Sequence, residues 1–225
     1  MTENMSDEIS RKELCERYQA LYPGAVADVL DDRGLQDQTM HPDLSPLTKD
    51  MHLAGIAFPV VGRANRSVDP ETNIRNILEM LGDAPAESAL AYDANDDQFA
   101  HLGELSATAL KRRDVRGAVI DGGVRDVNKM LDLDFPVFRR YNTPADAVPR
   151  WELLGWNVET VVGGVNVRPG DLLIGDVDGV VVVPQEHRES VLLEAEEIAK
   201  TENDVRSAVE NGMDPLDAYE KYGKF

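Results

Sequence analysis

The centre of the chain alternates between helical and strand-like segments at short intervals, and this alternation constrains the fold more than any other feature. Residues 103–113 have the spacing of a helix, and a short apolar run follows at 117–121. A second helix is predicted from about Val127, and another apolar run follows at 135–138. Because helices that separate short apolar strands are typical of sheets covered by helices, the pattern predicts an α/β fold.

Further short apolar runs extend the predicted sheet on both sides of the centre. They lie at residues 56–61, 89–92, 158–162, 165–167, 172–174 and 180–183. Gly163-Gly164, Pro169-Gly170-Asp171 and Asp178-Gly179 separate the later runs as turns, and the whole is interpreted as a mixed sheet. A helix that begins at Asp69-Pro70 is expected to stop at Gly82. We find no linker or internal repeat, so residues 1–225 are interpreted as one domain.

Both ends of the chain are predicted to be helical additions to a core at about residues 20–190. The N-terminal addition covers residues 1–22, where Ser10 and Glu13 have the spacing of a capping box. The C-terminal addition covers residues 186–225, where apolar residues recur on one helical face.

The charge of the chain excludes several classes of protein. The 42 acidic and 23 basic residues give a net charge of -19, which would repel nucleic acid. No apolar run approaches the roughly 20 residues of a membrane helix, and the polar start does not have the pattern of a secretory signal. A cytoplasmic protein without a membrane partner is therefore expected, and its single cysteine excludes an intrachain disulfide. The acidity indicates adaptation to concentrated salt, or simply an acidic cytosolic protein.

The segment Asp121-Gly122-Gly123-Val124-Arg125-Asp126 is the strongest candidate for a functional site. Gly122 and Gly123 are expected to form a tight turn between a buried strand and a helix. Arg125 offers a planar fork for a carboxylate, and Asp126 offers an oxygen ligand for a hard cation. The alternative is a surface ion pair between the two.

A second candidate element begins the preceding helix at Gly103-Glu104-Leu105. A helix N-terminus presents free N–H groups that suit a carboxylate or an enolate. Twenty residues separate Glu104 from Arg125, so one helix and one strand would bring both to the same edge of the sheet. The alternative for Glu104 is an acid that only stabilises the helix dipole.

Other familiar catalytic motifs are absent from the sequence. There is no nucleophile elbow, zinc-protease helix, Walker loop or dinucleotide fingerprint. The four histidines lie far apart, and His101 is interpreted as a surface or helix-start residue. The alternative is that His101, which comes just before Gly103-Glu104, approaches a site.

The sequence resembles the RraA-like family. Gly103-Glu104-Leu105 and the run Arg116 to Asp126 carry the resemblance. It extends downstream through residues 135–138, 143–144, 167–171 and 176–184, and more loosely upstream through residues 55–63, so that it covers about residues 20–190. That family includes 4-hydroxy-4-methyl-2-oxoglutarate aldolases, oxaloacetate decarboxylases and regulators of ribonuclease E activity, and older descriptions call some members demethylmenaquinone methyltransferases. The resemblance implies an αββα sandwich of the swivelling phosphohistidine-domain type, assembled as a homotrimer or homohexamer.

The resemblance also implies roles for the candidate residues. Arg125 would hold the substrate carboxylate and stabilise an enolate, and Asp126 would bind Mg²⁺ or another divalent cation such as Mn²⁺. Glu104 stands where the family usually has aspartate, and would bind waters of that metal. Gly103, Leu105 and Ser106 would contact the pyruvyl group through the start of the helix.

One residue of the implied site departs from the family pattern, and another is expected to come from a second copy of the chain. Lys129 stands at a position that is commonly acidic. A further acidic residue is expected from a neighbouring subunit.

Three hypotheses follow for function. The first is a metal-dependent lyase that cleaves an anionic 2-oxo acid to pyruvate, by retro-aldol cleavage or decarboxylation. The second is a non-catalytic regulator that binds a protein such as a ribonuclease, and the third is an orphan with a degenerate site. A Schiff-base mechanism would need a lysine, for which only Lys111 and Lys129 lie near the motif. Arg63 and Arg66 are candidates for further positive charge around an anionic substrate.

Overall fold

A computed structural model describes residues 9–225 of the chain. It has eleven strands in this range: β1 (Ser45–Pro46), β2 (Leu53–Ala64), β3 (Ser88–Asp93), β4 (Ala100–Leu102), β5 (Gly117–Val124), β6 (Val137–Asn142), β7 (Trp151–Trp156), β8 (Thr160–Val162), β9 (Val165–Val167), β10 (Leu172–Asp176) and β11 (Gly179–Val183). The helices are α1 (Arg11–Gln19), α2 (Pro23–Asp32), α3 (Pro70–Asp83), α4 (Glu104–Lys111), α5 (Val127–Asp132), α6 (Arg188–Glu210) and α7 (Pro215–Tyr222). A 3₁₀ turn, Gln185–His187, precedes α6.

Nine of these strands form one mixed sheet. Its main order is β1-β6-β5-β3-β2-β10-β11, with β4 beside β5 and β7 beside β2. The pairs β2–β3, β3–β5, β5–β6 and β4–β5 are parallel, whereas β1, β7, β10 and β11 pair in antiparallel fashion. The hairpin of β8 and β9 forms a separate two-stranded sheet. The mixed α/β class predicted from the sequence is therefore confirmed.

The large sheet curls around an apolar interior. Side chains from one face of β2, β3, β5, β6, β10 and β11 form this cluster together with the β8–β9 hairpin. A Cβ atom placed on Gly175 of β10 would lie 3.0 Å from the ring of Phe138 on β6, which stands four positions away in the strand order. Contact across so many strands requires the sheet to bend towards a barrel.

Helices cover the outer face in two groups. Helices α3, α4 and α5 pack over the parallel strands around a cluster that includes Tyr92 and Trp151. Helices α1, α2 and α6 pack over β10 and β11. The terminal helices are joined by Arg17 and Glu196, whose closest nitrogen and oxygen atoms are 2.6 Å apart. The helical additions are thus confirmed within the described range, where Ser10 caps α1 as predicted; the first eight residues of the N-terminal addition lie outside it.

Several local predictions from the sequence are wrong. Gly122 and Gly123 do not form a turn, because β5 continues through both to Val124. The absence of a Cβ atom at both positions allows close packing instead. A Cβ on Gly122 would lie 2.7 Å from Ala94 Cβ, and a Cβ on Gly123 would lie 2.4 Å from the Tyr141 ring. Gly82 does not stop α3, which ends one residue later.

Three strands were missed by the sequence analysis. Strands β1 and β4 have only two and three residues, too few to show an alternating pattern. Strand β7 carries charged and exposed residues among its apolar ones, since it pairs with β2 at the margin of the sheet. No helix in residues 9–225 has the length and apolar character needed to cross a bilayer.

Candidate functional site

The site lies where two parallel strands end side by side. Strand β4 runs beside the last residues of β5, and the amide of Arg125 donates a hydrogen bond of 3.0 Å to the carbonyl oxygen of Leu102. The chain then continues from β4 into α4 and from β5 into α5. Because the carboxyl ends of parallel strands meet at one edge, this pairing brings Gly103-Glu104 next to Arg125-Asp126.

Gly103 allows this close approach. A Cβ atom at this position would lie 2.8 Å from Asp126 Oδ2 and 3.2 Å from Arg125 Cγ, both too short for an undisturbed site. The extended backbone of Gly103 forms the N-cap of α4, and the Glu104 amide lies 3.4 Å from Asp126 Oδ2. The glycine therefore lets the start of α4 and the two charged side chains occupy one small volume.

Asp126 has an uncommon backbone conformation. Its φ of 57° and ψ of 33° lie in the left-handed region, where aspartate is several times more frequent than most residues. This single residue turns the chain from β5 into α5. Residues held in such sparsely populated backbone conformations cluster at functional sites, where the surrounding structure holds them in place.

Arg125 stands between two cavities. One has a volume of about 490 Å³ and is lined by Arg125, Asp126, Val124, Val127 and residues 142–144. The other, of about 210 Å³, lies between α3 and α4. The guanidinium is held by Asp146, whose Oδ1 is 3.6 Å from Nη1, and by Asp126, whose Oδ2 is 3.8 Å from Nε. Its side chain is 39% exposed, so a ligand can reach it from solvent.

The first turn of α4 supplies the remaining predicted residues. Leu105 and Ser106 line the smaller cavity, and the Leu105 side chain is 79% exposed. Glu104 accepts a 3.2 Å hydrogen bond from the Thr108 hydroxyl one turn further along the helix. All six residues predicted from the sequence, Gly103, Glu104, Leu105, Ser106, Arg125 and Asp126, thus lie at one location, while their roles remain predictions.

Asp121, which begins the predicted motif, faces a different part of the molecule. Its carboxylate pairs with Arg140 and accepts a 2.7 Å hydrogen bond from the Gly163 amide. It thereby ties the turn of the β8–β9 hairpin to the sheet.

A buried histidine near the site was assigned to the surface, and its aspartate partner was missed. His101 lines the smaller cavity beside Arg125. The interpretation of His101 as a surface residue is wrong: its side chain is fully buried, and Nε2 lies 2.5 Å from Asp96 Oδ2. Burial of the Asp96 carboxyl raises its pKa, but the His101 contact and the backbone amides of Gln98 and Phe99 outweigh this, so the pKa is lowered overall. The pair anchors the acidic loop before β4, and no spacing in the sequence indicates it.

Asp146 was also missed as a partner of Arg125. It follows β6, and an isolated β-bridge between Ala100 and Asp146 brings it to the site. Because these two residues are far apart in the chain, no local sequence pattern indicates the contact.

The donor groups fit a cation held mainly by water and substrate. The Asp126 carboxylate is 43% exposed, and residues 9–225 contain no group of three His, Cys, Asp or Glu side chains that could enclose a metal. Mg²⁺ commonly uses one or two protein carboxylates and completes its shell with water and substrate oxygens. Asp126, with Glu104 acting through water, matches this pattern and not that of a closed structural zinc site.

The other basic candidates lie away from this location. Lys111 ends α4 and donates to the carbonyl groups of Leu133 and Asp134. Neither it nor the exposed Lys129 is among the residues that line the two cavities around Arg125. Arg63 pairs with Glu152, and Arg66 lies over the Phe99 ring; neither is among the residues that line these cavities.

Comparison with known proteins places the chain in a family. Residues 24–182 match the family model described as RraA-like: Aldolase/RraA, and the chain therefore belongs to this family. A relative from Halalkalibacterium halodurans, named "Putative 4-hydroxy-4-methyl-2-oxoglutarate aldolase", is 30% identical over 86% of this chain and 87% of its own length. The resemblance inferred from the sequence is thus confirmed.

Solved structures with the same fold include two of differing description. One, titled as novel cellulases from microbes associated with the gut ecosystem, has a TM-score of 0.83 and 32% identity, and the match covers 90% of each chain. Another is RraAS2 of Streptomyces coelicolor, described as an unusual member of the RNase ES inhibitor RraA protein family. It has a TM-score of 0.77 and 22% identity over 88% of this chain and 98% of its own, which supports the fold alone.

Proposed function

We propose that the protein is a divalent-metal-dependent lyase that cleaves an anionic 2-oxo acid to pyruvate. The observation that carries this proposal is the meeting of Arg125, Asp126 and the first turn of α4 at the paired ends of β4 and β5. Retro-aldol cleavage of the 4-hydroxy-4-methyl-2-oxoglutarate type and decarboxylation of oxaloacetate both pass through pyruvate enolate, so one site can serve either.

The residues of the site stabilise negative charge where it grows. The Arg125 guanidinium offers parallel donors to the substrate carboxylate. The first N–H groups of α4, at Leu105 and Ser106, have no partner within the helix and carry its partial positive charge. Donors fixed in this way lower the barrier because they need not reorganise as the enolate forms.

Asp126 is the proposed direct ligand of Mg²⁺ or Mn²⁺, and Glu104 holds its waters. When bound, the cation supplies Lewis-acid polarisation of the substrate's 2-oxo and carboxylate oxygens. No lysine lines the cavities beside Arg125 in the described structure, which favours this chemistry over a Schiff base.

The Asp126→Asn variant is expected to lose metal-dependent activity while remaining folded. Asparagine tolerates the left-handed backbone of this position but lacks the negative charge. We expect the Mg²⁺ concentration for half-maximal pyruvate release to rise at least about tenfold, the scale seen even for residues that only support metal ligands. Asp132→Asn at the exposed end of α5 removes the same charge and serves as control. Equal Mg²⁺ dependence of both variants would remove Asp126 from the metal site.

The function itself is tested by pyruvate release. The protein is incubated with Mg²⁺ and either oxaloacetate or 4-hydroxy-4-methyl-2-oxoglutarate, with and without EDTA. Pyruvate is expected only with the metal. Cleavage that survives EDTA, together with trapping of substrate on Lys129 by borohydride, would contradict the metal mechanism. No release from either substrate would favour the alternative, a non-catalytic regulator that binds a protein such as a ribonuclease.

Three further parts of the proposal rest on family membership. The chain forms a homotrimer or homohexamer, a neighbouring subunit adds an acidic residue to the site, and the sheet is related to the swivelling phosphohistidine domains. The proposed cytoplasmic location, without nucleic acid or a membrane as partner, rests on the net charge of -19 and on the lack of a long apolar run in the sequence.

Activity is expected to persist or rise in molar salt. The net charge of -19 repels an anionic substrate at low ionic strength. At about 1 M salt the screening length falls to about 3 Å, so distant acids no longer oppose its approach. The check is kcat/KM at 0.1 M and 1 M KCl, with circular dichroism to monitor folding. Sharp inhibition of a folded protein would contradict salt adaptation without affecting the site assignment.

A further inference from the structure

The smaller cavity beside Arg125 contains a carboxylate that the proposed function has not yet used. Most of its walls are aliphatic side chains of α3 and α4, and its volume is about 210 Å³. The polar side chains among its lining residues are those of Tyr92, His101, Ser106, Arg125 and Asp146. A substrate held by the Arg125 guanidinium can therefore meet the carboxylate of Asp146 in the same cavity.

The backbone around Asp146 is fixed by the same strand that positions Arg125. The amide of Ala100 in β4 donates a hydrogen bond of 2.8 Å to the carbonyl oxygen of Ala145. Two residues further along β4, the carbonyl oxygen of Leu102 accepts the hydrogen bond from the Arg125 amide. One short strand thus sets the distance between the guanidinium and this carboxylate, as preorganised catalytic groups require.

The Asp146 carboxylate is oriented but not fully occupied. Its Oδ1 accepts a hydrogen bond of 3.3 Å from the Val148 amide. The same oxygen lies 3.6 Å from Arg125 Nη1, which is too long for a hydrogen bond. No hydrogen bond to Oδ2 is present within residues 9–225, and the side chain is 38% exposed. This second oxygen is therefore free to accept a proton from a ligand.

The other side chains of the two cavities that exchange protons are committed or enclosed. Asp126 is the proposed ligand of the cation. The His101 side chain is fully buried and pairs with Asp96. Burial raises the pKa of the Tyr92 hydroxyl, so it does not serve as a base near neutral pH. Among the described residues that line these cavities, this leaves Asp146 as the accessible carboxylate.

We propose that Asp146 is the general base that takes the proton of the substrate's C4 hydroxyl in retro-aldol cleavage. The inference rests on the proposed function, which places the substrate carboxylate on Arg125. The O–H bond breaks and its proton passes to Asp146, while the C4 oxygen becomes a carbonyl. The C3–C4 bond breaks, and its electron pair remains on the pyruvate enolate. The enolate takes up a proton at C3 from water, and Asp146 returns its own proton to water.

The two substrates of the proposed lyase test this role, because only one of them carries a C4 hydroxyl. Decarboxylation of oxaloacetate breaks the C3–C4 bond as CO₂ leaves, and no hydroxyl proton has to be removed. Pyruvate release by Asp146→Asn is measured with each substrate in Mg²⁺. General acid–base catalysis contributes at least about 100-fold, so we expect kcat for 4-hydroxy-4-methyl-2-oxoglutarate to fall by that factor and kcat for oxaloacetate to stay within about fivefold.

Asparagine is the matched replacement because it keeps the size of the side chain and the oxygen that accepts from Val148. Asp97→Asn is the control: Asp97 is exposed in the loop before β4, does not line either cavity, and loses the same charge. We expect it to cleave both substrates like the parent. Retained oxaloacetate decarboxylation shows that Asp146→Asn is folded, and circular dichroism checks this independently.

The outcomes distinguish this inference from the proposed function. Equal losses with both substrates would mean that Asp146 only positions Arg125, and full activity with both would mean that the hydroxyl proton goes elsewhere; either result overturns the assignment of a base. A parent protein that cleaves oxaloacetate alone keeps the lyase and removes the base, since no hydroxyl proton is then transferred. A parent that cleaves neither substrate overturns the lyase and the base together.

Discussion

Replacing Arg125 with alanine is expected to lower kcat for pyruvate release by about 100- to 1,000-fold. The guanidinium lies between the two cavities, next to the start of α4, and is held by Asp146 and Asp126. Loss of one donor that faces developing negative charge typically has an effect of this size. The measurement is steady-state pyruvate formation from oxaloacetate and from 4-hydroxy-4-methyl-2-oxoglutarate.

The control for this variant removes the same charge at the other end of α4. Arg112 is exposed and forms the C-cap of that helix, so Arg112→Ala changes the net charge equally. Its kcat should stay within about threefold of the parent, because an exposed charge distant from the reacting atoms contributes little in screened solution. Similar losses of kcat in both variants would show that Arg125 acts only through the electrostatic field of the whole protein.

The second large effect is expected from a single added methyl group. In Gly103→Ala the new Cβ would stand 2.8 Å from Asp126 Oδ2 and 3.3 Å from Arg125 Nε, so one or both side chains must move. A displacement of about 1 Å in a reacting geometry can lower the rate roughly 100-fold. We expect a loss of that order in kcat, with most of the free energy of unfolding retained, because both side chains are partly exposed and can shift.

Gly82→Ala is the matched control, since nothing lies within 4 Å of a Cβ at that position in α3. Alanine is favoured over glycine within a helix, so this variant should keep full activity and gain up to about 1 kcal/mol of stability. Urea unfolding together with pyruvate release distinguishes the two glycines. Full activity of Gly103→Ala would show that the close approach at α4 is not required for the reaction.

The sequence predicted the fold best where a local pattern repeats over many residues. Strands β2, β3, β5, β10 and β11 are continuous apolar runs because both faces of the curled sheet are buried. The caps of α1 and α3 were predicted because a capping side chain bonds an amide only a few residues away.

The sequence was least informative where distant segments decide the conformation. Gly122 and Gly123 have the composition of a turn, yet their role is set by Ala94, Phe99 and Tyr141, which approach from other elements. His101 has no distinguishing neighbours in sequence, and only the folded chain places it against Asp96 and the ring of Trp151.

The sequence by itself determined which residues could act. Carboxylates, a guanidinium and the start of a helix have intrinsic chemistry, and this chemistry identified Gly103, Glu104, Arg125 and Asp126. Only the tertiary structure decided that they lie together at the ends of β4 and β5, that Asp146 holds Arg125, and that an apolar cavity opens beside it. The physical reason is that strand pairing and cavity shape arise from contacts between segments far apart in the chain, which leave no periodic trace in either one.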